Sequence, residues 1–169
     1  MHWTVLGETH GNKKDLERAS QALNAASPRT ALVFLEALPV GRFVDGENAW
    51  RVAANFASPD PDQNEYVILA RACVKRGIRV YGLERTSHRI PSCYARRFQD
   101  RVRCAVHRAC TPSKKHCIES DWVDDIWSCD GLTEQSRVVI IVGKLHEAPL
   151  RRRLAARCVL ERERFTTRR

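Results

Sequence analysis

The chain opens with WTVLGETH at residues 3–10, and the same outline returns as VVIIVGKLH at residues 138–146. Each copy is a short apolar run followed by Gly-x-x-His. Two further apolar runs, at residues 31–35 and 78–83, are each followed directly by a glutamate. Short runs with few polar interruptions are typical of parallel strands, which are buried on both faces. The sequence therefore predicts four parallel strands.

Helical periodicity fills the connections between these strands. Asn12 is placed to cap a first helix, whose apolar residues recur at three- and four-residue spacing: Leu16, Ala19, Leu23 and Ala26. A second helix is predicted between Asp60 as its cap and Gly77 as its terminator. A last helix is predicted to open at Pro149 and to run through Leu150, Leu154 and Cys158. Alternating strands and helices indicate an α/β fold with a mainly parallel sheet flanked by helices.

A chain of 169 residues fits one domain, so we expect residues 1–169 to form a single compact domain. Within it lies a cysteine-rich segment at about 88–130. Seven cysteines cannot all pair internally. The segment lacks the C-x-x-C pair that most zinc sites contain. A structural zinc, one or two disulfides, and reduced thiols therefore all remain open.

The positive charge is concentrated in a basic C-terminal segment at about 147–169. It holds eight arginines against three glutamates, which is +5 of the net +9. Nucleic-acid surfaces usually interleave basic residues with aromatic ones, and this segment contains one aromatic residue, Phe165. We therefore expect no specific nucleic-acid partner. An anionic membrane surface or an acidic protein fits the segment better, and a plain solvated helix face is the simplest alternative.

No apolar run reaches the ~20 residues that cross a bilayer. Because the first predicted strand begins at residue 3, we expect no signal peptide. We expect a soluble protein that is either cytoplasmic or else secreted or translocated into a host cell by a non-classical route.

The polar residues after the strands point to a shared site, because the carboxyl ends of parallel strands meet at one edge of the sheet. Glu8 and His10 lie two residues apart in an extended segment, so their side chains face the same side. Glu36 and His146 arrive from neighbouring strand ends. When two carboxylates lie close together, ionisation of both is unfavourable, so the pKa of one is raised and the two can act as an acid–base pair. Histidines can orient water or protonate a leaving group. We predict these four residues as the catalytic set.

Other roles for the same residues stay open. His10, His146 and Glu36 would also make a two-histidine, one-carboxylate site for a divalent metal ion. A lone glutamate at a strand–helix junction can simply be favourable charge at a helix N-terminus. Glu84, which closes the third strand, could either supply this favourable charge or bind substrate. Trp122 and Trp127 either form a substrate-binding lip over the pocket or pack into the core.

The motifs also resemble a known superfamily. Gly7-Glu8-Thr9-His10-Gly11, then Glu36, then Gly143-Lys144-Leu145-His146 are similar to the erythromycin-esterase/ChaN-like superfamily. That group includes the TraB and Tiki proteins and a toxin-borne endopeptidase domain that cleaves Ras and Rap GTPases. The resemblance implies a hydrolase whose active site is Glu8, His10, Glu36 and His146. It implies a divalent metal if the chain follows Tiki, and metal-free acid–base chemistry if it follows the esterases or the endopeptidase. ChaN-like members bind haem, but no haem ligand stands out here.

The leading hypothesis is a peptidase that cleaves a protein substrate, with Glu8 or Glu36 activating water. By analogy with the superfamily, it would be a bacterial effector or toxin module acting on a host protein such as a small GTPase. The alternatives are a small-molecule esterase, and a catalytically silent effector that presents a basic surface to a partner.

Overall fold

The computed structural model describes residues 1–9, 11–46, 60, 62–85 and 118–166, with side chains described up to residue 159. These ranges contain five strands: β1 (His2–Glu8), β2 (Ala31–Pro39), β3 (Gly41–Arg42), β4 (Arg79–Glu84) and β5 (Arg137–Gly143). They also contain four helices: α1 (Lys13–Asn24), α2 (Glu65–Lys75), α3 (Ile118–Trp127) and α4 (Lys144–Thr166).

The strands form one sheet in the order β1-β5-β2-β4-β3. The four long strands are parallel to their neighbours, and only β3 runs antiparallel, against β4. The predicted α/β arrangement with a mainly parallel sheet is confirmed. Strand β3 was not predicted, because its two residues carry no apolar run.

Helices cover both faces of the sheet and enclose two cores. The first core lies between the sheet and α1 and α2, and the second lies between the sheet and α3 and α4. Successive residues of β2 alternate between them, since side chains alternate across a strand. Val33 belongs to the first core and Phe34 to the second. Burial on both sides explains why the β2 run is apolar throughout.

The starts of the first two helices test the predicted caps. The Asn12 side chain accepts a hydrogen bond from the Lys14 backbone N–H at 3.0 Å, which confirms the cap of α1. The predicted cap of α2 was wrong. Asn64 accepts from the first-turn N–H groups of α2 at 3.0 and 3.3 Å, whereas Asp60 accepts from Asp62 N–H in the turn before it. Asp and Asn are both good helix caps, and Asn64, which directly precedes the apolar face of α2, occupies the cap position.

Helix α4 begins at Lys144, directly after β5, and Pro149 lies inside it. The predicted start at Pro149 was therefore wrong, although the predicted core contacts Leu150 and Leu154 are buried. Residue 149 lies in the second turn, so the missing proline N–H removes the intrahelical hydrogen bond to the carbonyl of residue 145. Because α4 begins at Lys144, His146 lies in the first turn of a helix instead of in a loop after the strand.

Adjacent strands β5 and β2 send their following helices to opposite faces of the sheet. After β2 the chain forms β3 before the next described helix, α2, which packs in the first core, whereas α4 follows β5 directly and packs in the second. Neighbouring strands of this kind leave a crevice at their carboxyl ends, where ligands bind in open α/β sheets. Residues that end β2 and β5 are therefore placed at the natural site of the fold.

Some predicted features fall outside the described ranges. The sequence also predicts a short helix near 49–56 and a helix at 94–110, and both lie outside those ranges, as do His10 and most of the cysteine-rich segment. Three cysteines in the described ranges, Cys73, Cys129 and Cys158, are free thiols. Within the same ranges, no helix combines the length and apolarity needed to cross a membrane.

Candidate active site

A bulge in β2 holds the first candidate side chain. Regular pairing with β4 runs as far as Leu35 opposite Gly82 and resumes at Pro39 opposite Glu84. Three residues of β2 therefore lie opposite a single residue of β4, and Glu36 is the first of the three. Bulges of this kind redirect side chains and are frequent beside active sites. Glu36 was predicted to follow the strand, but it lies within it, in the bulge.

Gly82 makes room for this bulge. A Cβ at position 82 would collide with the carbonyl oxygens of Leu38 and Pro39 and would lie 2.5 Å from the Leu38 carbonyl carbon. Only glycine allows the two backbones to approach so closely. The position of Glu36 therefore depends on a residue of the neighbouring strand.

Glu36 is 7% exposed and faces the second core side of the sheet, like Phe34 two residues earlier. Its Oε2 accepts a hydrogen bond from the Gly143 backbone N–H at the end of β5. Its Oε1 lies 3.8 Å from Nε2 of His146. Glu36 and His146 thus meet at the crevice between β2 and β5.

His146 is held on its other side by helix α3. Its Nδ1 donates to Oε1 of Glu119 at 2.8 Å. The Trp122 ring contacts the imidazole edge-on, with centroids 4.9 Å apart and planes at 68°. The imidazole is therefore enclosed by a carboxylate on each side and an aromatic wall.

These surroundings shift the pKa of His146. Burial by itself lowers the pKa of this imidazole, because it disfavours the charged ring. The hydrogen bond to Glu119 and the negative charges of Glu36, Glu119 and Glu84 outweigh burial, so the pKa of His146 is raised above its usual 6.5. The protonated ring is the form that this site favours.

Glu8 approaches from the other face of the sheet. It ends β1 and is 5% exposed, and the Tyr66 hydroxyl on α2 donates a hydrogen bond to its Oε1. Burial, followed by the charges of Glu8 and Glu36, raises the pKa of Tyr66 well above its usual 10. Tyr66 therefore remains a neutral donor. The negative charges of Glu8 and Glu36 both raise the pKa of the Tyr66 hydroxyl. The two carboxylates therefore lie near the same region of the candidate site, although they come from opposite faces of the sheet.

Glu84 contributes charge to the same region. It is buried at the end of β4, and its negative charge is among the causes that raise the pKa of His146. The next residue, Arg85, pairs with Asp125 of α3, with Nε 2.9 Å from Oδ2. This ion pair ties the end of β4 to the helix that carries Glu119.

The structure therefore brings together Glu8, Glu36 and His146 of the predicted catalytic set, while His10 lies outside the described residues. Of the predicted substrate-binding residues, Trp122 is buried in the second core, where its ring and that of His146 make an edge-to-face contact, so it packs in the core and does not form a lip. Trp127 stacks on Trp3 at the amino end of β1, with centroids 5.0 Å apart. The structure does not bring Trp127 to the carboxyl-end cluster.

Two members of the cluster were missed as site residues. Neither Tyr66, which lies within the predicted second helix, nor Glu119 was singled out. One signal for Glu119 was present in the sequence, because it precedes Trp122 by three residues and so shares its helix face. An acidic residue on the same face as a buried tryptophan requires a partner in the core.

One cavity in the described structure is lined by residues outside this cluster. It has a volume of about 350 Å³ and lies between β3, β4 and α3, where Arg42, Arg79 and Asp130 are among its lining residues. None of Glu8, Glu36, Glu119 and His146 lines it. The candidate site is therefore identified by the close approach of its acid–base side chains and not by a cavity.

Among the residues that the structure describes, no group of three or more His, Cys, Asp and Glu side chains has an arrangement that could hold a metal ion. The predicted metal set of His10, His146 and Glu36 includes a residue outside those ranges. Comparison of the chain with protein-family models, curated proteins and solved structures finds no match. The chemistry of the site therefore rests on its own geometry.

Proposed function

We propose that this chain is a hydrolase that cleaves peptide bonds in a protein substrate, with Glu8, His10, Glu36 and His146 as its catalytic residues. The observation that carries the proposal is the Glu36–His146 pair. A buried carboxylate lies 3.8 Å from an imidazole at the crevice between β2 and β5. A carboxylate and an imidazolium at that distance are a general base and a general acid within reach of one substrate group.

In this mechanism Glu36 takes a proton from a water molecule, and the resulting hydroxide attacks the carbonyl carbon of the scissile bond. His146 enters the reaction protonated, since its surroundings raise its pKa. It stabilises the developing oxyanion and then donates its proton to the leaving nitrogen. Glu8, whose Oε1 is held by Tyr66, would orient the water or the substrate together with His10.

Amide cleavage fits this site better than ester cleavage. An amine is a poor leaving group until its nitrogen is protonated, so a histidine held as an acid is most useful for peptides. The feature that would favour a small-molecule esterase is a narrow pocket capped by Trp122 and Trp127. Trp122 is buried in the core and Trp127 stacks on Trp3, so in the described structure these two rings do not form that cap.

The resemblance to the toxin-borne endopeptidase extends the proposal to a host protein such as a small GTPase. On this view the chain is a bacterial effector or toxin module. Arg152 and Arg153 are exposed on α4, and they would hold the enzyme at an anionic membrane surface where such substrates are found.

The test compares wild type with Glu36→Gln, which keeps the shape of the side chain and removes the base. Glu17→Gln, at an exposed position on α1, is the matched control. Each protein is added to host-type lysate, with and without a chelator, and new protein N-termini are identified by mass spectrometry. We expect new termini with wild type and Glu17→Gln, and a loss of at least about 100-fold with Glu36→Gln.

Equal cleavage by Glu36→Gln and wild type would exclude Glu36 as the base. No new termini with any of the proteins would contradict a peptidase and bring forward the esterase and the silent effector. Loss of cleavage with the chelator would assign the reaction to a bound divalent metal.

A further inference from the structure

Glu119 places a second carboxylate on the imidazole of His146. It is 5% exposed, and its Oε1 accepts from Nδ1 at 2.8 Å, whereas Nε2 on the opposite side of the ring lies 3.8 Å from Glu36. An ionised carboxylate can only accept hydrogen bonds, so Nδ1 must carry the proton. In the neutral ring, Nε2 is then the basic nitrogen, and it faces Glu36.

The part of α3 that carries Glu119 is firmly anchored. Trp122 and Ile126 are almost fully buried in the second core, and Arg85 pairs with Asp125 on the same helix. Glu119 and Trp122, three residues apart, contact the same imidazole through a hydrogen bond and a ring edge. Support of this kind restricts both the tilt and the rotation of a catalytic ring.

We propose that Glu119 is the positioning residue for His146, fixing its tautomer and directing Nε2 toward Glu36 and the substrate. The inference rests on the proposed hydrolase function, and Glu119 itself touches neither the substrate nor the reacting atoms. The other acidic groups that act on His146 are Glu36 on β2 and Glu84 on β4. Of these three, Glu119 is the one hydrogen-bonded to Nδ1.

A merely structural role makes a different prediction. A buried glutamate that only satisfies the helix or the core would change the free energy of unfolding when replaced, but it would leave turnover and tautomer unchanged. A positioning role predicts that kcat falls while KM is nearly constant, because substrate binding does not use Glu119. It also predicts a change in which ring nitrogen carries the proton.

The test uses Glu119→Gln, which keeps the side-chain shape but can either donate or accept at Nδ1, and Glu119→Ala, which removes the hydrogen bond. Asp124→Asn, at an exposed position on the same helix, is the matched control. The ring tautomer is read from imidazole ¹⁵N NMR shifts at a pH above the pKa of His146, where the ring is neutral, and the signals are assigned with His146→Gln. Steady-state kinetics use the substrate identified by the N-terminal search.

For Glu119→Ala we expect the Nε2–H tautomer to appear and kcat to fall about 100-fold, with KM within about threefold of wild type. Glu119→Gln should show a smaller change in both, because its amide oxygen can still accept from Nδ1. Asp124→Asn should match wild type in both measurements. A kcat within threefold of wild type in Glu119→Ala would overturn the proposal, as would an Nδ1–H tautomer that persists as the dominant form in it. If wild type itself cleaves nothing, the proposed function has failed, and the tautomer measurement still decides the role of Glu119.

Discussion

Replacing Tyr66 with phenylalanine removes one hydroxyl from the Glu8 side of the site without creating a cavity. Tyr66 is 1% exposed, and its hydroxyl donates to the buried Glu8 carboxylate. Hydrogen bonds to charged groups contribute roughly 1.5–3 kcal/mol, about twice the contribution of neutral ones. We therefore expect Tyr66→Phe to lower the free energy of unfolding by about 2 kcal/mol, which is a fall in Tm of roughly 4–8 °C for a chain of this size.

Tyr81→Phe is the matched control. It deletes the same atom, but the Tyr81 hydroxyl donates to a neutral acceptor, the backbone carbonyl of Asp130, at 3.1 Å. Its expected cost is about 1 kcal/mol or less. Urea denaturation followed by circular dichroism gives both free energies under the same conditions. The assigned role of the Tyr66–Glu8 contact would be wrong if Tyr66→Phe were no more destabilised than Tyr81→Phe.

Three further outcomes follow from the geometry. Gly82→Ala should lower the free energy of unfolding by at least about 3 kcal/mol, because a Cβ would meet the backbone of the β2 bulge; a Tm within a few degrees of wild type would contradict this reasoning. His146→Gln should flatten the pH dependence of stability, measured by urea unfolding at a series of pH values. The raised pKa means that protonated His146 stabilises the fold fully below about pH 6.5, and that this stabilisation is lost as pH rises through the folded-state pKa; equal slopes for the two proteins would refute it. Burial raises the pKa of the Cys73 thiol to about 11, so at neutral pH iodoacetamide should label Cys73 only on unfolding, as read by peptide mass spectrometry; rapid labelling of the folded protein would disprove that burial.

The sequence was sufficient to locate the four long strands, because each is a compact apolar run that burial on both faces requires. It was also sufficient for the apolar faces of α1 and α2, where residues such as Leu23 and Tyr66 recur at helical spacing. It failed at element boundaries that depend on competition between neighbours. Asn64 displaced Asp60 as a cap, and Pro149 was accommodated inside α4 instead of opening it.

The candidate site was predictable only where its residues lie at or directly after strand ends. Glu8, Glu36 and His146 were predicted to lie together because the carboxyl ends of parallel strands meet at one edge of the sheet. The bulge that directs Glu36 was not predictable, since it depends on Gly82, which lies on a different strand and far along the chain. Glu119 and Tyr66 come from helices, and whether a helical residue reaches a strand end depends on packing that local periodicity does not encode.

The two faces of the sheet contribute different groups to the candidate site. Each sheet face supplies one strand carboxylate and one helix-borne partner: Glu8 with Tyr66 on the first core side, and Glu36 with His146 on the second. The Glu8 half has a neutral donor, and the Glu36 half has a group that favours its protonated form. An acid–base pair therefore lies on one face and a fixed, hydrogen-bonded carboxylate on the other. In the proposed hydrolase, a substrate that uses both halves would lie across the carboxyl edge of the sheet, over the β2–β5 crevice, and an extended peptide has the length and the repeated polar backbone to do so.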